Sequence, residues 1–381
     1  MDAKNPLDKR ENILKRWNSL KNERSSWESH WHEISDYLLP RSGRFFTTDR
    51  NRGERRHNNI YDSTGTRALR VLAAGMMAGM TSPARPWFRL STSDPDLDES
   101  AAVKAWLADV TRLMLMVFAK SNTYRSLHGM YEELGAFGTG ASIVVPNFDT
   151  IIHHHQLTTG EYAIATNDLG QVDTLYREMD MTVHQMVTQF GLNKVSQTVK
   201  NLYDTNHLDA WITVVHAIEP RMKRDASKRD PMNMPFRSCY MEKGATDGVF
   251  LRESGFREFR AVVPRWATAG GDIYGHSPGM ECLGDVKQLQ HEQLRKAEGI
   301  DYQLERKRVR KHGEERIFTH FHIRDRFPVE LTMYAPDKAS FQFKSSITGK
   351  AIERATLPEF EQFLQKEYPD FDLESEVTAA D

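Results

Sequence analysis

The sequence predicts an α+β chain of long helices and small β-modules. An opening stretch carries aromatic and aliphatic residues at helical spacing, and a second long helical stretch lies at 285–303. Between them, from about 141 to 263, period-two and apolar runs separated by turn residues read as strands.

Residues 6–39 read as one helix, because Ile13, Leu14, Trp17, Leu20, Trp27, Trp31, Ile34 and Leu38 recur at three- and four-residue spacing; Pro40 stops it. A basic loop, 41–59, follows with Arg41, Arg44, Arg50, Arg52, Arg55 and Arg56. The second helix starts near Asp62, with Asp62 or Ser63 as its cap. Ala68, Leu72, Gly75, Met76 and Gly79 give it a small-residue face suited to close helix approach. Residues 81–86 end that helix, and Trp87-Phe88-Arg89-Leu90 alternates as a short strand. An acidic linker, 94–100, ends in a cap for an amphipathic helix at 101–119, and another helix covers 124–137. Gly138-Thr139-Gly140 breaks it, 141–146 reads as a buried strand, and 151–176 as strand and hairpin with turns at 158–161 and 167–170. Thr182 caps a helix to Phe190 that Gly191 closes, and 192–204 adds a short helix. Segments 211–219 and 249–259 are β-type, with a charged, exposed 221–233 between them. Gly270-Gly271 forms a joint before the helix at 285–303.

Composition excludes several classes. The chain has 381 residues, 39% hydrophobic and 27% charged, which is ordinary for folded protein and allows two or three modules or one elongated subunit. A net charge of −2 argues against a protein that coats nucleic acid by neutralising phosphates, so any DNA contact is local or weak. Cys239 and Cys282 form no CxxC or zinc spacing and fit a reducing compartment. The first eleven residues lack the apolar run of a secretory leader, and the longest apolar stretches, 71–80 and 113–119, are too short to cross a bilayer.

No catalytic constellation emerges. His153-His154-His155 resembles a metal cluster, but on a strand only the outer two share a face, and no Cys or paired carboxylate stands at ligand spacing. The glycines of 135–140 sit at a helix-to-strand joint, the reverse of a phosphate-cradling loop, and read as a tight, closely packed turn. Glu132-Glu133 and Glu314-Glu315 are adjacent carboxylates that do not converge and read as solvated faces rather than a two-metal nuclease site. A metal-dependent nucleic-acid-processing enzyme, using His153–His155 or His312, His320 and His322, is the alternative from another class; it lacks a third ligand. Arg306, Lys307, Arg308, Arg310 and Lys311 form a basic cluster able to meet DNA or an acidic partner.

Five stretches in sequence order resemble the portal, or head-to-tail connector, family of short-tailed bacteriophages. They are the aromatic helix ending Tyr37-Leu38-Leu39-Pro40-Arg41; Ile60-Tyr61-Asp62-Ser63-Thr64-Gly65 running on to Pro86-Trp87-Phe88-Arg89-Leu90; Gly160-Glu161-Tyr162 through Met181-Thr182; Val215-His216-Ala217-Ile218-Glu219-Pro220-Arg221; and Tyr274-Gly275-His276-Ser277-Pro278 through Leu289. Together they span about residues 10–303.

The resemblance implies an elongated portal-type subunit with wing and stem parts. Residues 1–140 would be the helical wing part, 141–265 a β-rich wing module, 266–303 the approach to the stem, and 304–381 a segment the family pattern does not cover. It implies a non-enzymatic homo-oligomer, a dodecameric ring at one capsid vertex. The ring would form the channel for genome packaging and ejection and the attachment point for the tail. Implied partners are the terminase, capsid and scaffolding proteins, tail adaptor proteins, and double-stranded DNA passing without sequence specificity; no membrane and no cofactor or metal is implied. The virion is the expected location, with the host cytoplasm during assembly. Lys287, His291, Glu292, Arg295 and Lys296 would face the channel or the next subunit. After Tyr302 the resemblance stops. A basic run, a β-like stretch at 317–343, a helix at 357–368 and an acidic tail follow, so a truncated or rearranged prophage portal remnant is the competing expectation.

Overall fold

The first helix, α1 (Pro6–Tyr37), buries one face along its whole length: Ile13, Trp17, Leu20, Trp31 and Ile34 are almost completely covered. At 32 residues it spans about 48 Å. In the computed structural model, residues 6–45, 59–245, 249–309, 329–330, 341–345 and 351–355 are described. They fall into two units, 1–290 and 291–381.

In the first unit, α1 leads into α2 (Thr64–Met80), α3 (Pro95–Glu99), α4 (Ala101–Lys120) and α5 (Thr123–Phe137). Strands β1 (Ala141–Asn147) and β2 (Ile151–Leu157) form a hairpin. Then come β3 (Tyr162–Thr166), β4 (Val172–Thr182), α6 (Val183–Phe190), α7 (Gln197–Asp204), β5 (Trp211–Pro220), β6 (Phe236–Glu242), β7 (Arg252–Phe256), β8 (Ala261–Val262), α8 (Pro278–Glu281) and α9 (Leu283–Val309), whose last turns belong to the second unit. The five strands β3 to β7 pair in sequence order as an antiparallel meander, and β2-β1-β8 make a smaller sheet. The second unit also holds β9 (Val329–Glu330), β10 (Phe341–Ser345) and β11 (Ala351–Ala355), paired in the order β11-β10-β9.

Three apolar clusters hold the first unit. Trp31 and Ile34 of α1, with Leu38 just after it, meet Phe137, Ile143, Leu157 and Val286; Ile13, Trp17 and Leu20 meet Tyr176, Val215 and Met241; α6 and α7 cover a third around Met186, Val199 and Val214. The helix α6 starts as its sequence dictates, with Thr182 and Gln185 forming a capping box.

The α+β class stands, with several local corrections. Residues 87–90 are not a strand. They pack on a helix instead: the Leu90 N–H donates to Thr111 Oγ1 of α4 at 3.2 Å, and the adjacent Trp87 and Phe88 both pack on Phe118 with centroids 6.0 Å away. The acidic linker contains the short helix α3, capped by the Asp94 carboxylate. The strand β6 was not separately expected. It lies inside the sheet, buried from Ser238 to Glu242, so it shows no polar alternation. Of the β-like stretch at 317–343, only 329–330 and 341–343 are described; the helix expected at 357–368 lies outside the described residues.

Candidate functional site

The start of α9 is tied to the start of α2. Ser277 caps α8, accepting from the Met280 N–H at 3.1 Å, and donates to the Ala136 carbonyl at 2.7 Å. Leu283 and Val286 enter the main apolar cluster. One turn further, the buried Gln290 carboxamide accepts from the Tyr61 and Asp62 N–H groups, both at 2.7 Å, and donates to the Asp62 carbonyl at 2.8 Å. Asp62 in turn accepts from the Thr64 N–H at 2.7 Å. The hydrogen bonds from Thr64 hold its carboxyl below the usual carboxylate value.

Of the five stem-approach residues, Lys287 is engaged within its own subunit. Its ammonium pairs with Glu33 and lies 5.8 Å from the Tyr37 ring centre. His291, Glu292, Arg295 and Lys296 continue along α9 and are exposed. Arg306, Lys307 and Arg308 fall on the last turns of the same helix; Arg310 and Lys311 lie outside the described residues, as do Arg50, Arg52, Arg55 and Arg56 of the basic loop, and His312, His320 and His322.

The glycines of 135–140 do not cradle an anion; they receive another stretch of backbone. Gly138 caps α5 with φ +78°, and a Cβ there would run into the Gly275 carbonyl. The Gly275 N–H donates to Thr139 Oγ1 at 2.9 Å, and the Trp266 N–H donates to the Gly138 carbonyl at 2.9 Å. The indole N–H of Trp31 closes the junction by donating to the Phe137 carbonyl at 3.2 Å. Thus the Gly-His-Ser-Pro segment lies backbone to backbone on the end of α5.

Glu133 was read as one of a solvated pair, and the structure corrects that. Its carboxylate is fully buried and accepts from the Thr158 hydroxyl at 2.5 Å, the Thr159 N–H at 3.0 Å and the Thr159 hydroxyl at 3.3 Å. Burial raises its pKa to about 7 against the lowering effect of these donors. The same turn binds the segment after α1: Gly43 N–H donates to Thr158 Oγ1 at 2.7 Å and Arg44 N–H to the Thr159 carbonyl at 2.8 Å. Arg44 also faces Glu161 at 3.8 Å, so this member of the basic loop pairs within the chain.

The histidine run lies on β2, an edge strand. Rings of His153 and His155 share one face with centroids 4.9 Å apart, as period-two geometry requires. The Asn122 side chain takes the place of a further strand, accepting from the His154 N–H and donating to its carbonyl, both at 2.8 Å, which blunts the edge. Among the described residues, no three His, Cys, Asp or Glu side chains gather as a metal would need.

Gln290 and Glu33 escaped the sequence reading, and so did the burial of Glu133. The available signal for Gln290 was its place four residues after Val286, on the buried face of α9. Glu133 carried none, since its threonine partners lie more than twenty residues away.

Comparison with known proteins bears on these features together. The family described as bacteriophage head to tail connecting protein matches residues 10–311, which include all of α1 but its first turn, both glycine segments and every later described element except the strands β9 to β11. The chain belongs to that family. The match runs past Tyr302, where the resemblance read from the sequence stops. Two curated relatives are also similar to it. The probable portal protein of Bordetella phage BPP-1 is 70% identical over 290 residues, covering 76% of this chain and 52% of the relative. The portal protein of Salmonella phage epsilon15 is 49% identical over 293 residues, covering 77% of this chain and 53% of the relative. The chain therefore spans about half the length of the curated relatives it matches. The family description names a head to tail connecting protein, and both relatives are named as portal proteins.

Proposed function

We propose that this head to tail connecting protein acts as a portal subunit. Copies self-associate into a ring, expected to be dodecameric, at one capsid vertex. The ring surrounds a channel for packaging and ejecting DNA and offers docking surfaces to the terminase, to capsid and scaffolding proteins, and later to tail adaptors. The observation that supports this reading most is the family match over 10–311 together with 70% identity to a relative named as a probable portal protein. The near-neutral net charge of −2 suits a channel wall along which DNA slides without being held. Exposed His291, Glu292, Arg295 and Lys296 are the positions proposed to face the channel or the next subunit.

Light scattering after size exclusion tests the reading. A discrete particle whose mass is a large multiple of 43.9 kDa is the expected result. A species that stays monomeric across the accessible concentration range would overturn it.

A further inference from the structure

The β1–β2 hairpin ends in a tip that its own subunit does not use. Phe148 stands fully exposed, and Ile151 beside it is 57% exposed. The tip is nevertheless fixed. Asn147 Oδ1 accepts from the Asp149 N–H at 2.8 Å and the Thr150 N–H at 3.0 Å, and the Thr150 hydroxyl donates to the Ile152 carbonyl at 2.9 Å. Ile151 sits at φ +69°, a left-handed position where hairpins of this loop length take Gly or Asn. For a β-branched residue this conformation is an outlier. An apolar tip held rigid under strain and left in water is shaped for contact rather than for the stability of the subunit.

A groove elsewhere on the unit has the complementary shape. It runs between residues 86–91 and α4, encloses about 530 Å³, and is floored by Phe88, Leu107, Thr111 and Leu115. That volume lies in the ~300–1,000 Å³ range of clefts that bury a ligand, so one aromatic ring fits. The charges on its rim are Arg89, Lys104, Arg112 and the single acid Asp98. Arg112 also pairs with Asp109 at 3.0 Å, and all three basic residues are exposed. The hairpin tip carries one charge, Asp149. An aromatic anchor flanked by an acid thus matches an apolar floor flanked by bases.

We propose that Phe148 and Asp149 of one copy seat in the α4 groove of the next copy. The ring enters the apolar floor, and the carboxylate meets the basic rim. Knob and groove are different surfaces, so the contact is heterologous: each copy gives a knob to one neighbour and a groove to the other, and the series closes as a ring. The inference rests on the ring reading and adds the surface that builds it.

Three full-length proteins test it: wild type, Phe148→Asp and Ala108→Trp, the second blocking the knob and the third filling the groove. Both positions are exposed, so the melting temperature should hold in each variant. Wild type is expected to assemble and each variant alone to be monomeric. An equimolar mixture should give a heterodimer and nothing larger, because only one intact knob meets one intact groove. If wild type assembles and Phe148→Asp assembles equally, the inference falls while the ring reading stands. Loss of assembly in Phe148→Asp without heterodimers in the mixture would also overturn it, since the tip would then meet another surface or another partner. A monomeric wild type overturns both.

Discussion

Glu133 keeps its carboxyl in a site closed to water, with Thr158 and Thr159 as donors, Glu161 near by, and a pKa of about 7. In the unfolded chain the same group titrates near 4.5. Between those values the folded state binds the extra proton, so this group's contribution to stability falls as pH rises from about 4.5 to 7. The loss is on the order of 3 kcal/mol. Glu133→Gln removes that titration. The stability difference between variant and wild type should therefore shift in favour of the variant from pH 5 to pH 8, as read from urea midpoints; a constant difference would show that Glu133 ionises normally. His216 acts with the opposite sign. Buried between Arg177 Nε at 3.2 Å and Ser238 Oγ at 3.0 Å, it is held well below its usual pKa by desolvation first and the Arg177 charge second. Its contribution is present above about pH 6.5 and lost as pH falls, because only the unfolded imidazole then takes a proton. Comparing Glu133→Gln with wild type at each pH cancels the histidine term.

The hairpin offers a test at the level of the element. Replacing Ile151 by Gly relieves a left-handed β-branched residue, worth about 1–2 kcal/mol, against a smaller entropic cost in the unfolded chain. The variant should be about 0.5–1 kcal/mol more stable with an unchanged denaturant slope, and a loss of stability would show that the Ile151 side chain packs usefully in its own subunit. A second element, the α2–α9 contact, predicts the reverse sign. Gln290→Ala leaves the Tyr61 and Asp62 N–H groups without their acceptor and should cost about 1–3 kcal/mol, read from the thermal midpoint. These two elements also show where the sequence was legible. Helices α1, α2, α5 and α9 declared themselves because burial on one face imposes a period, and Pro40, the Asp62 turn and Gly138 mark where α1 ends, α2 begins and α5 ends. Strand β6 did not, because a strand covered on both faces loses its alternation, and 87–90 read as a strand because its apolar residues, which pack on α4, flank a charged Arg89. The junction of Gly138 with Gly275 and the Glu133 site were invisible for another reason: each is made by residues far apart in sequence, and no spacing rule links them.

Within the first unit, α1 belongs to two apolar clusters at once, and this decides how the unit should unfold. Its first half enters the five-stranded sheet through Ile13, Trp17 and Leu20, with the Trp17 indole 6.3 Å from the Tyr176 ring and its N–H donating to Glu178 at 3.1 Å. Its second half enters, through Trp31 and Ile34, the cluster made by α5, β1, β2, α9 and the opposite face of the sheet, where Ile164, Leu175 and Ile218 lie. Arg24, buried at the midpoint, donates to the Tyr162 carbonyl at 2.6 Å and pairs with Glu28 at 2.7 Å, so the helix is held where it passes from one cluster to the other. A helix bound along its whole length cannot leave one cluster without fraying toward the other, and that couples the two energetically. Trp17→Ala and Trp31→Ala each open a large cavity and should each cost about 3–5 kcal/mol. If α1 couples the clusters, either substitution lowers the same transition. Hydrogen exchange in β6, whose Cys239 and Met241 share the Trp17 cluster, and in β1, whose Ile143 shares the Trp31 cluster, should then accelerate together in both variants. If Trp17→Ala speeds exchange in β6 and leaves β1 unchanged, the two clusters unfold separately and α1 merely touches both.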